Sequence, residues 1–159
     1  MTSRLLVDKI EGKTSASTVQ MPAGHIIQIT KSVITGNVQA TSSTYLNVGH
    51  SLSITPKFAN SQILLQNSAA GWHYDAGSPQ TSGIRLKRNG TVLFTNDGQG
   101  FTDSGNWTTL SWVFNFFDTT HGSTSALTYT LEINGNRARY NDQNGIANTA
   151  TFLAMEIAG

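Results

Sequence analysis

Apolar side chains in this sequence recur with a period of two, and nowhere with the 3.6-residue period of an amphipathic helix. The chain is therefore expected to be all-β. The run that carries this furthest is Leu110–Phe117, bounded by Thr108-Thr109 before it and Asp118-Thr119-Thr120-His121-Gly122 after it. It contains no Pro, Gly or charge, and its aromatic and β-branched side chains suit a pleated surface. Alternation puts Leu110, Trp112, Phe114 and Phe116 on one face and Ser111, Val113, Asn115 and Phe117 on the other. The first face is wholly apolar and the second half so, the pattern expected of a central strand with one side in the core. Burying each large ring stabilises by roughly 1.5–3 kcal/mol, so the rest of the chain is expected to assemble around this strand.

Further strand signals fall at His25–Ile34, Tyr45–Val48, Ser51–Ile54, Gln62–Ser68, Gly83–Arg88, Thr91–Thr95, Leu127–Ile133, Arg137–Tyr140 and Ala150–Ile157. Asn89-Gly90 is a type I′ hairpin signal, because both residues tolerate positive φ. Asn134-Gly135 reads as a second turn. Strands of this number and spacing predict a jelly-roll-like β-sandwich over residues 23–159. Residues 1–22 differ. A short alternating run, Arg4–Ile10, leads into a small, polar neck, and the segment is too short to bury enough apolar surface to order itself. It is expected to be an extended docking arm anchored by Leu5, Leu6, Val7 and Ile10. In the last strand Phe152 and Ala154 share one face and Leu153, Met155 and Ile157 the other. Both faces are apolar, which predicts burial on both sides and a subunit interface drawn from Phe152, Leu153, Met155 and Ile157.

Composition bounds the function. Of 159 residues only 12% are charged, against about 25% in ordinary soluble domains. Ser, Thr and Asn together number 50, and the net charge is +1 with scattered cations, so no footprint for nucleic acid or an anionic membrane is present. The absence of Cys excludes disulfides and thiolate metal sites. No apolar run approaches the roughly 18 residues of a membrane span, and no signal-peptide core opens the sequence. His25, His50, His73 and His121 are far apart and make no metal-ligand pair. Asn96-Asp97-Gly98-Gln99-Gly100, with Asp103-Ser104-Gly105, lacks the closing acid of a calcium loop and reads as a turn. Gly98-x-Gly100 opens no helix, and no Gly-x-Ser-x-Gly elbow is present. No catalytic residue, metal or cofactor is expected. Trp72-His73-Tyr74 and Trp107 lie among Gly, Asn and Ser, with two readings open: a surface that recognises a sugar or a partner, or a cap on the end of the sandwich.

Leu5-Leu6-Val7-Asp8-Lys9-Ile10-Glu11-Gly12-Lys13-Thr14, running into Met21-Pro22-Ala23-Gly24-His25-Ile26-Ile27-Gln28, resembles the opening of many marine and cyanobacterial phage virion proteins. Leu52-Ser53-Ile54-Thr55-Pro56-Lys57-Phe58-Ala59-Asn60-Ser61-Gln62-Ile63-Leu64, the strand Ser125–Leu131 and the terminal Thr151–Ala158 extend the likeness over nearly the whole chain. The C-terminal pattern is also similar to the trimeric jelly rolls of the tumour-necrosis-factor and C1q type. The resemblance implies a non-enzymatic structural protein on the surface of a tailed-phage virion, made in the host cytoplasm. It implies a homotrimer, docked by its arm on a tail or capsid protein, as a tail-fibre-type appendage contacting a host-surface glycan or protein. A head decoration or cement protein is the alternative, followed by a cellular C1q-like binding module and a carbohydrate-active enzyme.

Overall fold

The computed structural model describes residues 22–74, 80–102, 107–143 and 146–159, and these contain strands and turns but no helix. The expected arm, with Leu5, Leu6, Val7 and Ile10, lies outside the described residues apart from Pro22. Eight long strands make the fold: β1 (Ile26–Ile34), β2 (Val38–Ile54), β3 (Gln62–Tyr74), β4 (Gln80–Arg88), β5 (Thr91–Thr102), β6 (Trp107–Asp118), β7 (Leu127–Tyr140) and β10 (Ala150–Ile157). Two short ones, β8 (Asp142–Gln143) and β9 (Ile146–Ala147), form a separate small hairpin.

The long strands pair antiparallel. β1, β10, β3 and β6 hydrogen-bond in that order into a front sheet, and β2, β7, β4 and β5 into a back sheet. The sheets meet at one corner, where Gly71 and Trp72 of β3 pair with Tyr140 and Arg139 of β7. Successive long strands pass from one sheet to the other except β4 and β5, which stay together. A long ribbon folded over in this way is a jelly roll. The β4–β5 turn is the Asn89-Gly90 pair, with φ of 48° and 85°, as a type I′ turn requires.

The structure corrects the sequence reading in three places. Leu110–Phe117 lies in β6, which among the described strands pairs only with β3 and is therefore an edge strand, not a central one. Its Trp112 and Phe114 do enter the core, but Val113 and Phe117 stay 47% and 50% exposed. The half-apolar second face belongs to the outside of the sheet. Second, the signals at Tyr45–Val48 and Ser51–Ile54 are parts of one strand, β2, whose pairing with β7 slips between them. Third, Asn134-Gly135 is no hairpin: β7 runs through it, with positive φ at Gly135 and Arg137 and a register shift opposite, the marks of a bulge.

The core lies between the sheets. β7 supplies Tyr129, Leu131 and Ile133, β10 supplies Phe152 and Ala154, β4 supplies Ile84 and Leu86, and all are fully buried. Phe114 meets Phe152 edge-on at 6.2 Å, and Phe94 of β5 closes the side against Phe114 and Phe116. Two hydrogen-bonded networks carry polar groups into the core. The His50 ring touches the Tyr140 hydroxyl at 2.8 Å and the Ser32 carbonyl at 3.2 Å. The Tyr140 hydroxyl donates to Asn67 Oδ1, whose amide nitrogen donates to the Trp112 carbonyl. Glu156 is also fully buried. Its Oε1 accepts from the Lys57 and Phe58 amides and the Ser61 hydroxyl, and its Oε2 from Gln28, so one carboxylate ties the β2–β3 turn to the front sheet.

Candidate interaction surfaces

The outer faces of the two sheets differ sharply in chemistry. On the back sheet Arg85 and Lys87 of β4 pair with Glu132 of β7 at 3.7 and 3.0 Å, and the hydroxyls of Ser53 and Thr128 meet at 3.0 Å. The Arg85 guanidinium lies 3.6 Å above the Tyr45 ring, whose hydroxyl donates to Asp97. This face is an ordinary wetted surface.

The front sheet is not. Its register sets Ile29 of β1, Met155 of β10, Leu64 of β3 and Phe117 of β6 side by side across all four strands. The next row on one side is Lys31, Leu153, Gln66 and Asn115, and the row beyond it is Val33, Thr151, Ser68 and Val113; Ile26 and Ile157 lie on the other side. Among the described residues of these strands, Lys31 is the single charged side chain turned outward. An exposed apolar row across a whole sheet, rimmed by polar side chains, marks an interaction site. β1 makes the point most directly, because its polarity is inverted. Ile29 and Val33 face out at 55% and 48% exposure, while Gln28, Thr30 and Ser32 turn towards the sandwich interior. A one-residue slip of the β1–β10 register would reverse that arrangement. The observed register instead spends Gln28 on Glu156 Oε2 at 2.6 Å and on the Thr55 carbonyl at 2.7 Å, and leaves the buried Thr30 hydroxyl without a partner.

The four residues expected at a subunit interface divide between the two faces. Leu153, Met155 and Ile157 are half-buried in the middle of this outer face. Phe152 is not there: it is fully buried in the chain's own core, against His50 and Phe114. A period of two allows no other outcome. Sequence reasoning missed Ile29, Val33, Leu64, Val113 and Phe117. Their alternation was visible, but which side of each strand faced outward was not.

A second surface sits where β3 and β6 run past the end of β10. Tyr74 pairs with Trp107 and Trp72 with Thr109, so three rings project from the outer face. Trp72 meets Trp107 edge-on at 5.1 Å, and Tyr74 lies tilted against Trp107 at 4.5 Å. Trp107 remains 47% exposed. The β7 bulge adds two cations: Arg137 stands 5.1 Å over the Tyr74 ring and Arg139 5.9 Å over Trp107. His73 is separate, buried on the opposite side of β3. These aromatics are therefore strand-end residues and not loop residues, and the two arginines had no sequence signal once Asn134-Gly135 was read as a turn.

Among the described residues no group of His, Asp and Glu could hold a metal ion. The buried carboxylate of Asp118 is structural. Arg88 Nη1 reaches both its oxygens at 2.7 Å, the Tyr129 hydroxyl donates to Oδ2, and the Thr120 amide and hydroxyl donate to Oδ1. Burial pushes this carboxyl up, but the hydrogen bonds from Tyr129, Thr120 and Arg88 and the Arg88 charge outweigh it, leaving it below the ordinary aspartate value.

No protein-family model matches the chain, and no curated protein matches it. Among solved structures it is similar to the VP2 subviral particle of infectious bursal disease virus, at 16% identity and a TM-score of 0.42 over 100% of this chain and 37% of that one. It is also similar to the T13 particle of the same virus, at 11% identity and a TM-score of 0.46 over 98% of this chain and 40% of that one. A weaker likeness is to dimeric latent PorU from Porphyromonas gingivalis, at 9% identity and a TM-score of 0.33 over 87% and 14%. The chain thus spans about two fifths of the viral chains it is similar to. At these scores the likeness carries no argument about function, and the jelly roll stands on the strand order itself.

Proposed function

We propose that this chain is a non-enzymatic structural protein of a phage virion surface, assembled as a homotrimer through the outer face of its front sheet. The observation that carries the reading is that face: nine apolar side chains across four strands, with Lys31 its one charge and Gln66, Ser68, Asn115 and Thr151 its polar members. The phage virion motifs in the sequence support the particle surface as its place. The face has two apolar halves, β1–β10 and β3–β6. One half of each copy rests on the other half of the next, and three such head-to-tail contacts close a ring. The arm, residues 1–22, docks the trimer on a tail or capsid protein by adding a strand to a partner's sheet edge, with Leu5, Leu6, Val7 and Ile10 as anchors. A tail-fibre-type appendage fits best. A head cement protein would use the same face and arm at far higher copy number, which imaging of the particle distinguishes.

Sedimentation or light scattering tests the assembly. The wild type is expected to be a trimer at micromolar concentration. Phe117→Asp and Met155→Asp each put a charge into a dry contact at a cost of several kcal/mol per charge, so both are expected to be folded monomers. Phe117 is half-exposed at the sheet edge, so the first variant leaves the core untouched. A monomeric wild type overturns the interface, and a dimer overturns the three-fold arrangement. Deleting residues 1–22 is expected to leave a folded trimer that no longer enters particles. Continued incorporation would move the docking surface to the head, and failure to fold would make the arm part of the domain.

A further inference from the structure

The ring cluster at the end of the front sheet is a small surface with two properties that do not arise together by packing alone. The first is an open aromatic platform. Trp107 is held in place by Trp72 edge-on and by Tyr74 at 4.5 Å, yet 47% of it stays exposed. Fixed in this way, its ring pays little ordering entropy when something stacks on it. The electron-rich face of an indole attracts polarised C–H groups such as those of a pyranose ring. Beneath the platform the Trp72 indole N–H is buried without an acceptor, an unsatisfied donor of the kind that a bound hydroxyl or water completes.

The second property is an uncommitted cation. Arg139 is occupied: it donates to Asp142 at 3.0 Å and to Gln39 at 2.9 Å. Arg137, by contrast, forms no ion pair among the described residues and stands exposed over Tyr74. Its backbone is in the left-handed region, with φ of 54°, a conformation that L residues adopt at a cost and that here aims the side chain across the rings. Asp142, the partner of Arg139, is itself only 3% exposed and is also held by Asn37. Among the described residues the cluster therefore carries net positive charge beside a flat aromatic surface. A guanidinium presents a fork that matches a carboxylate.

We propose that Trp72, Tyr74, Trp107 and Arg137 form a binding site for an acidic sugar, a pyranose unit bearing a carboxylate. The ring stacks on Trp107 and the carboxylate pairs with Arg137. A nucleic-acid strand is the other ligand that combines flat rings with negative charge, but it requires a basic track along the surface. The net charge of the chain is +1, and among the described residues the cluster has one unpaired cation. The site needs neither the trimer nor the arm.

Tryptophan fluorescence of the full chain, titrated with trigalacturonate, tests this. Trigalacturonate is expected to quench, and Trp107→Ala to remove the response while leaving the thermal melt unchanged. Arg137→Gln is expected to weaken binding by about tenfold, the loss of one charge-assisted hydrogen-bonded contact. The monomeric Phe117→Asp variant is expected to bind like the wild type, so failure of assembly and failure of this site read separately. No quenching at tens of millimolar sugar overturns the site. Equal binding of neutral maltotriose, or an Arg137→Gln variant that binds normally, overturns the acidic assignment. Tighter and salt-sensitive binding of oligothymidylate overturns the sugar in favour of nucleic acid.

Discussion

Trp112→Ala is expected to lower the unfolding free energy by about 3–5 kcal/mol, the usual loss for a large buried ring. Trp112 is fully buried, and its indole N–H donates to the Arg139 carbonyl at 2.7 Å. That carbonyl belongs to the corner where the two sheets join, so the variant opens a cavity and leaves an acceptor unpaired at the same place. The neighbouring chain has been fitted to the indole. A Cβ on Gly71 would come 2.2 Å from Nε1 and 2.5 Å from the Arg139 oxygen, so only glycine allows the approach. Against typical domain stabilities of about 5–15 kcal/mol, this loss is a fifth or more of the whole. Urea denaturation measures it, and a midpoint within error of the wild type would mean that the corner holds without the ring.

Asp118→Ala is expected to cost a comparable amount, about 3–5 kcal/mol, because it strands the Arg88 charge and the Tyr129 hydroxyl. It also has a pH signature that a cavity lacks. The Asp118 carboxyl is held below its ordinary value, so the unfolded chain binds the proton more readily. The stability it contributes is fully present above the unfolded aspartate value of about 3.9. It is lost as the pH falls through the lower folded value. His50 adds an earlier acid limb of the same sign: burial pushes its imidazole down, partly opposed by the Ser32 carbonyl, and stability declines as the pH drops below about 6.5. Denaturation midpoints in a pH series should therefore show a lower limb that flattens in Asp118→Ala. A mutant that kept the wild-type slope below pH 4 would place the depressed carboxylate elsewhere.

The sequence was a good guide wherever the information is local. The Asn89-Gly90 turn, the buried face of Trp112 and Phe114 and the alternation of Leu127–Ile133 all follow from side-chain type and a period of two. It was a poor guide wherever a strand's partner decides the outcome. In β1, Ile34 competes with Ile29 and Val33 for the inner face, and only pairing with β10 shows that Ile29 and Val33 lose. Glu156 shares its side of β10 with Phe152 by simple alternation. What makes its burial tolerable is a set of donors at Gln28, Lys57, Phe58 and Ser61, none of them near it in sequence. The ring cluster was half legible: Trp72, Tyr74 and Trp107 stood out as aromatics, whereas Arg137 and Arg139 reach them through a bulge that reads in sequence as a turn.

The place of β10 in the front sheet has a consequence for how the chain comes to be folded. This strand, the last of the eight in sequence, fills the slot between β1 and β3, and its pairing joins Ile26 to Ile157. Until residues 150–157 are synthesised, β1 has no hydrogen-bonded neighbour among the described strands and β3 has an open edge along Gln62–Ser68. Strands left in that state are templates for wrong pairing, and contacts between such distant residues form slowly. Sheet closure must therefore follow synthesis of the last strand, and the apolar front face appears in a single late step. A growing chain therefore lacks the finished apolar face until its last strand is in place.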